Sequence, residues 1–371
     1  MKDIAIIGGG LAGLTNAIQL ARAGLKVTVI EKKQYPYHKV CGEYISHEVS
    51  PFLKSIDAYP SHFDMPFLNR FLLTDPSGKY AKLNLELGGF GLSRYRLDLY
   101  LSEKAQEAGV ELILPATVTK VDVQEDFFLL GLKTGSEITA RLVIGSYGKR
   151  SKLDKLWHRP FMQKRSPYLG VKYHAKLPHD PNLIALHIFK GGYCGVSQIE
   201  EETVNICYLS RRENLKRYGD IKTMEEELLL QNPYLKDVFQ QAEFLFDKPE
   251  VINEISFAPK KAVVNHILMS GDAAGLITPL CGNGMAMAIH SAKILSEAIL
   301  RHYKNGSWHR AALEKDYQRQ WRKLFAQRLQ AGRWIQRLFH QPGSMQLLFF
   351  IARHMPSLAQ SLVRQTHGKP F

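Results

Sequence analysis

Two glycine-rich turns are the places where residue type and spacing in this 371-residue sequence most plainly imply chemistry. The first, Gly8-Gly9-Gly10-Leu11-Ala12-Gly13, follows the apolar run Ile4-Ala5-Ile6-Ile7 and precedes Leu14, Ala17, Ile18 and Ala21 at helical spacing. A second apolar run, Lys26-Val27-Thr28-Val29-Ile30, closes on Glu31, 18 residues beyond Gly13. This is a strand–turn–helix–strand unit whose glycines have separate roles. Gly8 permits the tight turn, Gly10 lets a pyrophosphate approach the backbone, and Gly13 lets the helix pack close to the sheet. The helix start offers free N–H groups to phosphates, and Glu31 can accept from ribose hydroxyls. A 2′-phosphate would be repelled by Glu31, which disfavours NADP; the unit alone does not separate NAD from FAD.

The second turn lies far along the chain. Ile267-Leu268-Met269 leads into Ser270-Gly271-Asp272-Ala273-Ala274-Gly275, then Pro279, Gly282-Asn283-Gly284 and Met285. An apolar strand ending in Gly-Asp feeds a loop and then a helix with Ala288, Ala292, Leu295 and Ala298 as packing positions. An Asp at a strand end can accept hydrogen bonds from a polyol. Gly282 and Gly284 open the backbone N–H groups at a helix start, which favours negative charge.

This second segment resembles the Gly-Asp motif of the FAD-dependent aromatic hydroxylase and geranylgeranyl reductase superfamily. The resemblance places Asp272 at the ribityl chain and Pro279, Gly282 and Gly284 at the isoalloxazine ring. Three further segments are similar to the same superfamily. Arg94-Tyr95-Arg96-Leu97-Asp98 looks like its Arg-x-x-Leu-Asp helix, which puts Arg94 near the cofactor. Gly145-Ser146-Tyr147-Gly148-Lys149-Arg150-Ser151 looks like its Gly-Ala-Asp-Gly-x-x-Ser segment, with Tyr147 where the acid is usual; that departure weakens the expectation of direct nicotinamide contact. Tyr35-Pro36-Tyr37-His38-Lys39-Val40-Cys41-Gly42-Glu43 looks like the Pro-Arg-x-Lys-x-Cys-Gly stretch of the geranylgeranyl reductase branch, with Tyr37 in place of Arg. There the loop runs beside the flavin, so Lys39 and Gly42 are expected at the cofactor. Cys41 and Glu43 are the catalytic candidates, Cys41 as a tuning group or proton relay. Cys281 is a near-flavin candidate by position alone.

The resemblance implies non-covalent FAD, held by Gly8, Gly10, Leu11, Ala12, Gly13, Glu31, Lys32, Lys39, Cys41, Gly42, Arg94, Val118, Gly271, Asp272, Pro279, Gly282, Gly284 and Met285. It also implies NAD(P)H as a candidate electron donor and a hydrophobic small-molecule substrate: aromatic, polyketide-like or isoprenoid, free or carrier-bound. The leading expectation is monooxygenation through a flavin C4a-hydroperoxide. The alternatives are C=C reduction of the geranylgeranyl reductase type and a non-catalytic electron-transfer flavoprotein. Trp157, Trp308, Trp321 and Trp334 form no Trp-x-Trp pair, which disfavours halogenation.

The expected fold is α/β: a Rossmann-type FAD-binding domain with a parallel sheet, an inserted antiparallel substrate sheet and a C-terminal helical segment. The cofactor domain is expected over 1–65, 90–160 and 260–300, and the substrate domain over 66–89 and 161–259. The basic helical region is 301–371. Alternation in 168–175, 184–189, 191–199 and 204–209 predicts half-buried strands, with Tyr173, His187, Phe189 and Tyr193 as pocket candidates.

The formal net charge is +14, and 301–371 holds thirteen Lys and Arg against Glu314 and Asp316 alone. Trp308, Leu313, Tyr317, Trp321, Leu324, Phe325, Leu329 and Ile335, at mixed three- and four-residue spacings, predict an amphipathic helix over 308–340 with a basic outer face; a second helix is expected over 345–355. No nucleic-acid motif accompanies the charge, so nucleic acid is not an expected partner. A peripheral membrane surface or an acidic carrier protein is the candidate contact for this face. Four scattered cysteines without a Cys-x-x-Cys pair imply neither a disulfide framework nor a metal site. No signal-like start or run of roughly 18 apolar residues is present, so the expected location is cytoplasmic, or peripheral to the inner face of the membrane.

Overall fold

The computed structural model describes all residues except 164–165, 254, 305, 339–348, 350–352 and 356–367. Most of the second tail helix expected at 345–355 lies outside the described residues, as does the side chain of Cys281.

Short apolar runs buried on both faces form the first sheet, as parallel strands must when helices cover both sides. Lys2–Ile7 pairs in parallel with Val27–Ile30 on one side and Glu137–Gly145 on the other. The parallel order extends to Glu111–Ile113 and Ile267–Met269 at its ends. The chain order reverses at Lys2–Ile7, so a crevice opens where that strand ends, at Gly8. Val118–Val123 and Phe128–Leu132 form an antiparallel flap on Glu137–Gly145.

The second sheet runs in the order Glu243–Phe244, Tyr168–Lys176, Val204–Arg211, Gly192–Gln198, Leu183–Phe189, Phe67–Thr74, Tyr80–Gly91 and Tyr44–Ser46. Its pairs are antiparallel except Leu183–Phe189 with Phe67–Thr74, which run parallel. The fold is thus mixed α/β with a cofactor sheet, an inserted and largely antiparallel sheet, and the C-terminal helix Arg310–Leu338. That helix buries Leu313, Tyr317, Trp321 and Phe325, and Tyr317 Oη donates to the carbonyl of Met269 at 2.5 Å.

Period-2 alternation gives the second sheet two different faces. Leu169, Val171, Tyr173, Val204, Ile206 and Tyr208 pack against Met224, Leu228 and Leu235 of the helices Ile221–Leu228 and Pro233–Gln241. Gly170, Lys172, His174, Asn205 and Cys207 lie on the opposite face, toward the 38–43 loop. Tyr173 and Phe189 therefore belong to the helix-covered core, and His187 bonds Thr74 at 2.9 Å. Of the pocket candidates, Tyr193 alone joins the other side, packing with Tyr168, Leu209, Ile255 and Leu276.

In the helix-covered core, Glu225 accepts from Tyr208 Oη at 2.7 Å and Tyr173 Oη at 2.9 Å. Burial pushes its carboxyl up to about 7 from an ordinary 4.5. A raised folded-state value means stability that is complete below pH 4.5 and is lost as pH rises through 7, by about 3 kcal/mol. Glu225→Gln keeps an acceptor oxygen and removes the titration. Urea unfolding should therefore show the wild type losing stability relative to the variant as pH rises from 4.5 to 8; parallel curves would contradict this assignment.

Candidate active site

The first turn is built as its glycines require. Gly8 sits at φ +102°, and a Cβ on Gly13 would lie 2.0 Å from the Gly8 carbonyl oxygen. The helix Leu11–Arg22 starts at Gly10 with no side-chain cap and no acid in its first turn, so its leading N–H groups point outward unsatisfied. Over this start stand two cations. A Cβ on Gly10 would be 3.5 Å from Arg94 Nη2 and 3.8 Å from Lys39 Nζ. Asp98 holds both: Arg94 donates through Nε and Nη2 at 2.8 Å each, and Lys39 through Nζ at 2.7 Å. Burial pushes the Asp98 carboxyl up, but Arg94 and then Lys39 outweigh it and keep the carboxylate below its ordinary range.

Glu31 is buried at the end of its strand and accepts from the backbone N–H of Gly9 at 2.8 Å and of Lys33 at 3.1 Å. Lys32 is exposed. Ala116 N donates to the Glu31 carbonyl at 2.8 Å, which brings the start of Val118–Val123 past this acid; Val118 itself is buried in the cofactor core.

The second turn meets the first from above. Gly271 lies at φ +63°, and a Cβ there would be 2.9 Å from that of Ala12. Asn16 on the first helix donates to Ser270 Oγ at 3.1 Å and accepts from Ser296 Oγ at 2.9 Å, so it joins both helices. Gly271, Asp272, Gly284, Met287 and Ala288 lie side by side against Trp321. Gly282 is left-handed at φ +62°, and the helix Gly284–Arg301 then starts without a side-chain cap. Met285 is buried at its first turn. Two uncapped helix starts, two cations and a carboxylate at a strand end therefore face one crevice. This donor set fits FAD, whose pyrophosphate suits the Gly10 end and whose ring system suits the Gly282–Gly284 end.

Tyr147 is drawn away from the crevice. Its hydroxyl donates to Asp154 Oδ1 at 2.7 Å and accepts from Arg159 Nη1 at 3.2 Å. Arg159 continues to the Ala273 carbonyl at 3.0 Å, and Lys260 Nζ reaches the Asp272 carbonyl at 2.8 Å. Burial lowers Lys260 to about 8, against the pull of Asp272. Sequence reading missed Asp154, Arg159 and Lys260 as supports of the Asp272 turn. The available signal was Ser151-x-x-Asp154, which forms a capping box here.

The 35–43 loop passes between the two sheets. Tyr35 Oη donates to the Gly9 carbonyl at 2.5 Å, and the Tyr37 ring lies between Lys33 and Lys39. His38 stacks on Tyr95. Cys41 is half-buried, its carbonyl accepting from Asn205 Nδ2 at 3.2 Å, and Gly42 is exposed. Glu43 is fully buried at φ +54° and bonds Lys172 Nζ at 2.6 Å and His174 Nε2 at 2.7 Å. Burial pushes its carboxyl up, but Lys172 and then His174 prevail and lower it to about 2. Val40 packs beside Gly170, where a Cβ would be 3.1 Å from Val40 and 3.2 Å from Ile252 and Ile255. Among the described residues, no group of His, Cys, Asp and Glu is arranged to hold a metal ion.

Residues 3–39 match the FAD binding domain family. With that match, the two turns and the wider likeness define an FAD-dependent oxidoreductase. The chain is related to the aromatic hydroxylase and geranylgeranyl reductase superfamily and lies close to geranylgeranyl-reductase-like sequences. It is 27% identical over 340 residues to a digeranylgeranylglycerophospholipid reductase of Methanosarcina acetivorans, covering 86% of this chain and 80% of that one. A geranylgeranyl bacteriochlorophyll reductase-like structure from Thermoplasma acidophilum superposes with a TM-score of 0.77 at 19% identity, over 100% of this chain and 96% of that one. The flavin-dependent brominase Bmp2 superposes at 0.78 with 20% identity, over 98% and 93%. At these identities the two structures speak for the fold.

Proposed function

We propose that this chain reduces a C=C bond in a hydrophobic, isoprenoid-like substrate, using FAD as the bound redox group and NAD(P)H as the source of electrons. The observation that carries the reading is the likeness to digeranylgeranylglycerophospholipid reductase sequences along most of the chain; the buried apolar cluster Tyr168, Tyr193, Leu209, Ile255 and Leu276 packs beside the Cys41 loop through Val40 and Gly170. Leu276 and Leu280 bring the loop beyond Asp272 to the same cluster, so the substrate sheet and the ring-binding turn share one apolar contact. The related reductase sequences support this branch over the oxygenating one expected first.

When bound and reduced, FAD would supply two electrons and one proton together, as a hydride equivalent, which leaves one proton for the chain to provide. The chain itself must exclude water, align the double bond and deliver a proton. Cys41 Sγ is the proposed proton source, because its loop is fixed at the carbonyl by Asn205. Glu43 cannot serve as that source, because with a value of about 2 it carries no proton at neutral pH. Arg94 and Lys39 hold the phosphates, and Gly282 and Gly284 receive the ring.

Anaerobic reduction with NAD(P)H followed by mixing with a polyprenyl alkene tests the reading. Flavin reoxidation with a product two hydrogens heavier supports it. Reoxidation only in air, with oxygen in the product, establishes oxygenation instead, and reoxidation only by a partner protein establishes an electron carrier. Cys41→Ser should slow the alkene step on the order of a hundredfold and leave flavin reduction unchanged. An unaltered alkene step would remove Cys41 from the chemistry.

A further inference from the structure

A fully buried lysine on a strand of the substrate sheet has no role in the reaction as described, yet its ammonium and its neighbours grip the cofactor loop at alternate residues. Lys172 Nζ donates to the Lys39 carbonyl at 3.2 Å and to Glu43 Oε1 at 2.6 Å. Asn205, on the adjacent strand, donates to the Cys41 carbonyl at 3.2 Å. His174, two residues beyond Lys172, bonds Glu43 Oε2 at 2.7 Å. Glu43 in turn accepts from the backbone N–H of Arg94 at 2.7 Å. The grip thus reaches the backbones of both residues whose side chains stand over Gly10.

The backbone is shaped for this grip. Glu43 is a non-glycine residue in the left-handed region, a conformation that is strained for it and persists only where the surroundings demand it. Here that conformation accompanies a carboxylate turned inward between the sheets rather than outward beside exposed Gly42. The register points the same way. Lys172 lies opposite Cys207, and His174 opposite Asn205, so the gripping side chains share one face of paired strands.

We propose that Lys172, Glu43 and Asn205 form a clamp by which the substrate sheet positions the 39–43 loop, and with it both the Cys41 thiol and the Lys39–Arg94 cation pair. These are positioning residues, acting through Cys41, Lys39 and Arg94. The clamp gives the substrate sheet a direct mechanical link to the FAD end of the crevice. The inference rests on the FAD-binding reading of that crevice.

The test uses the full chain. In Lys172→Met combined with Glu43→Gln, both buried charges leave together, so no orphaned ion remains to unfold the protein. Asn205→Ala alters no charge and releases the Cys41 carbonyl alone. FAD affinity is read by fluorescence titration, and Cys41 accessibility by the rate of iodoacetamide alkylation in FAD-free protein, resolved by mass spectrometry. The double variant should lose at least tenfold in FAD affinity and gain at least tenfold in the Cys41 alkylation rate. Asn205→Ala should gain in alkylation with a smaller change in affinity. Folded variants that keep both wild-type values would overturn the clamp; if the double variant does not fold, the alkylation rate of Asn205→Ala decides alone. A wild type that takes up no FAD would end the reading of the crevice instead, and the alkylation rates would still judge the clamp.

Discussion

Lys172→Met alone should lower the stability of the protein by about 3–5 kcal/mol, the cost of leaving a buried carboxylate without its counter-ion. Lys172 and Glu43 are both fully buried and 2.6 Å apart. The Glu43 carboxylate sits at about 2 against an ordinary 4.5. A depressed folded-state value means stability that is present above pH 4.5 and lost as pH falls through 2, and its size is about 3 kcal/mol. Removing Lys172 removes the largest favourable influence on that carboxylate. His174 then remains as a partner beside it, together with the Arg94 N–H. Adding Glu43→Gln should recover most of the loss, because replacing both members of a buried pair is often neutral. Thermal unfolding at pH 7 is the measurement. A drop of roughly 5 °C in the single variant, largely restored in the double, is expected. Equal stability of single variant and wild type would mean that the pair is not buried as described.

Arg94→Met should weaken FAD binding by roughly ten- to a hundredfold, the worth of one or two charge-assisted hydrogen bonds to phosphate. The guanidinium lies against Gly10 at the start of the first helix, where the backbone donors and the helix dipole already favour an anion. Asp98 does not cancel this role. It binds one edge of the guanidinium and shares its charge with Lys39, so the Arg94–Lys39–Asp98 group itself keeps one positive charge. The wild-type affinity should fall as salt is raised, and the variant should show a weaker dependence. A variant with wild-type affinity and wild-type salt dependence would place the phosphates elsewhere.

Both turns were legible because their signals are local. Strand, glycine spacing and helix occupy a few adjacent residues, and backbone sterics tie each glycine to its role. The clamp was not legible for the opposite reason: Glu43 and Lys172 are separated by 129 residues, and Glu43 and His174 by 131. Alternation in Leu169-Gly170-Val171-Lys172-Tyr173-His174 did carry a signal. It sorts Tyr173 with Leu169 and Val171 onto the helix-covered face and leaves Gly170, Lys172 and His174 for the side facing the loop. Polar residues on such a strand ordinarily meet water; here they meet a second sheet. The parallel pairing of Leu183–Phe189 with Phe67–Thr74 was likewise hidden, since it joins segments far apart in sequence with no hairpin turn to announce it. At Tyr147 the departure from the usual acid was plain, but its use was not: the hydroxyl serves the buried Asp154–Arg159 pair behind the Asp272 turn.

The basic helix Arg310–Leu338 leaves Lys315, Arg319, Arg322, Lys323 and Trp334 exposed, while its apolar stripe covers the cofactor domain. Among the described residues, no helix is long and apolar enough to cross a membrane.

The most direct measurement is a crystal structure of the protein reconstituted with FAD and soaked with a polyprenyl alkene. The pyrophosphate is expected at Gly10 beneath Arg94 and Lys39, the ring between Cys41-Gly42 and Gly282–Gly284, and the alkene beside the ring, on the side of the substrate sheet that faces the Cys41 loop. A ring bound away from Cys41, or an alkene on the helix-covered face of the substrate sheet, would contradict this arrangement.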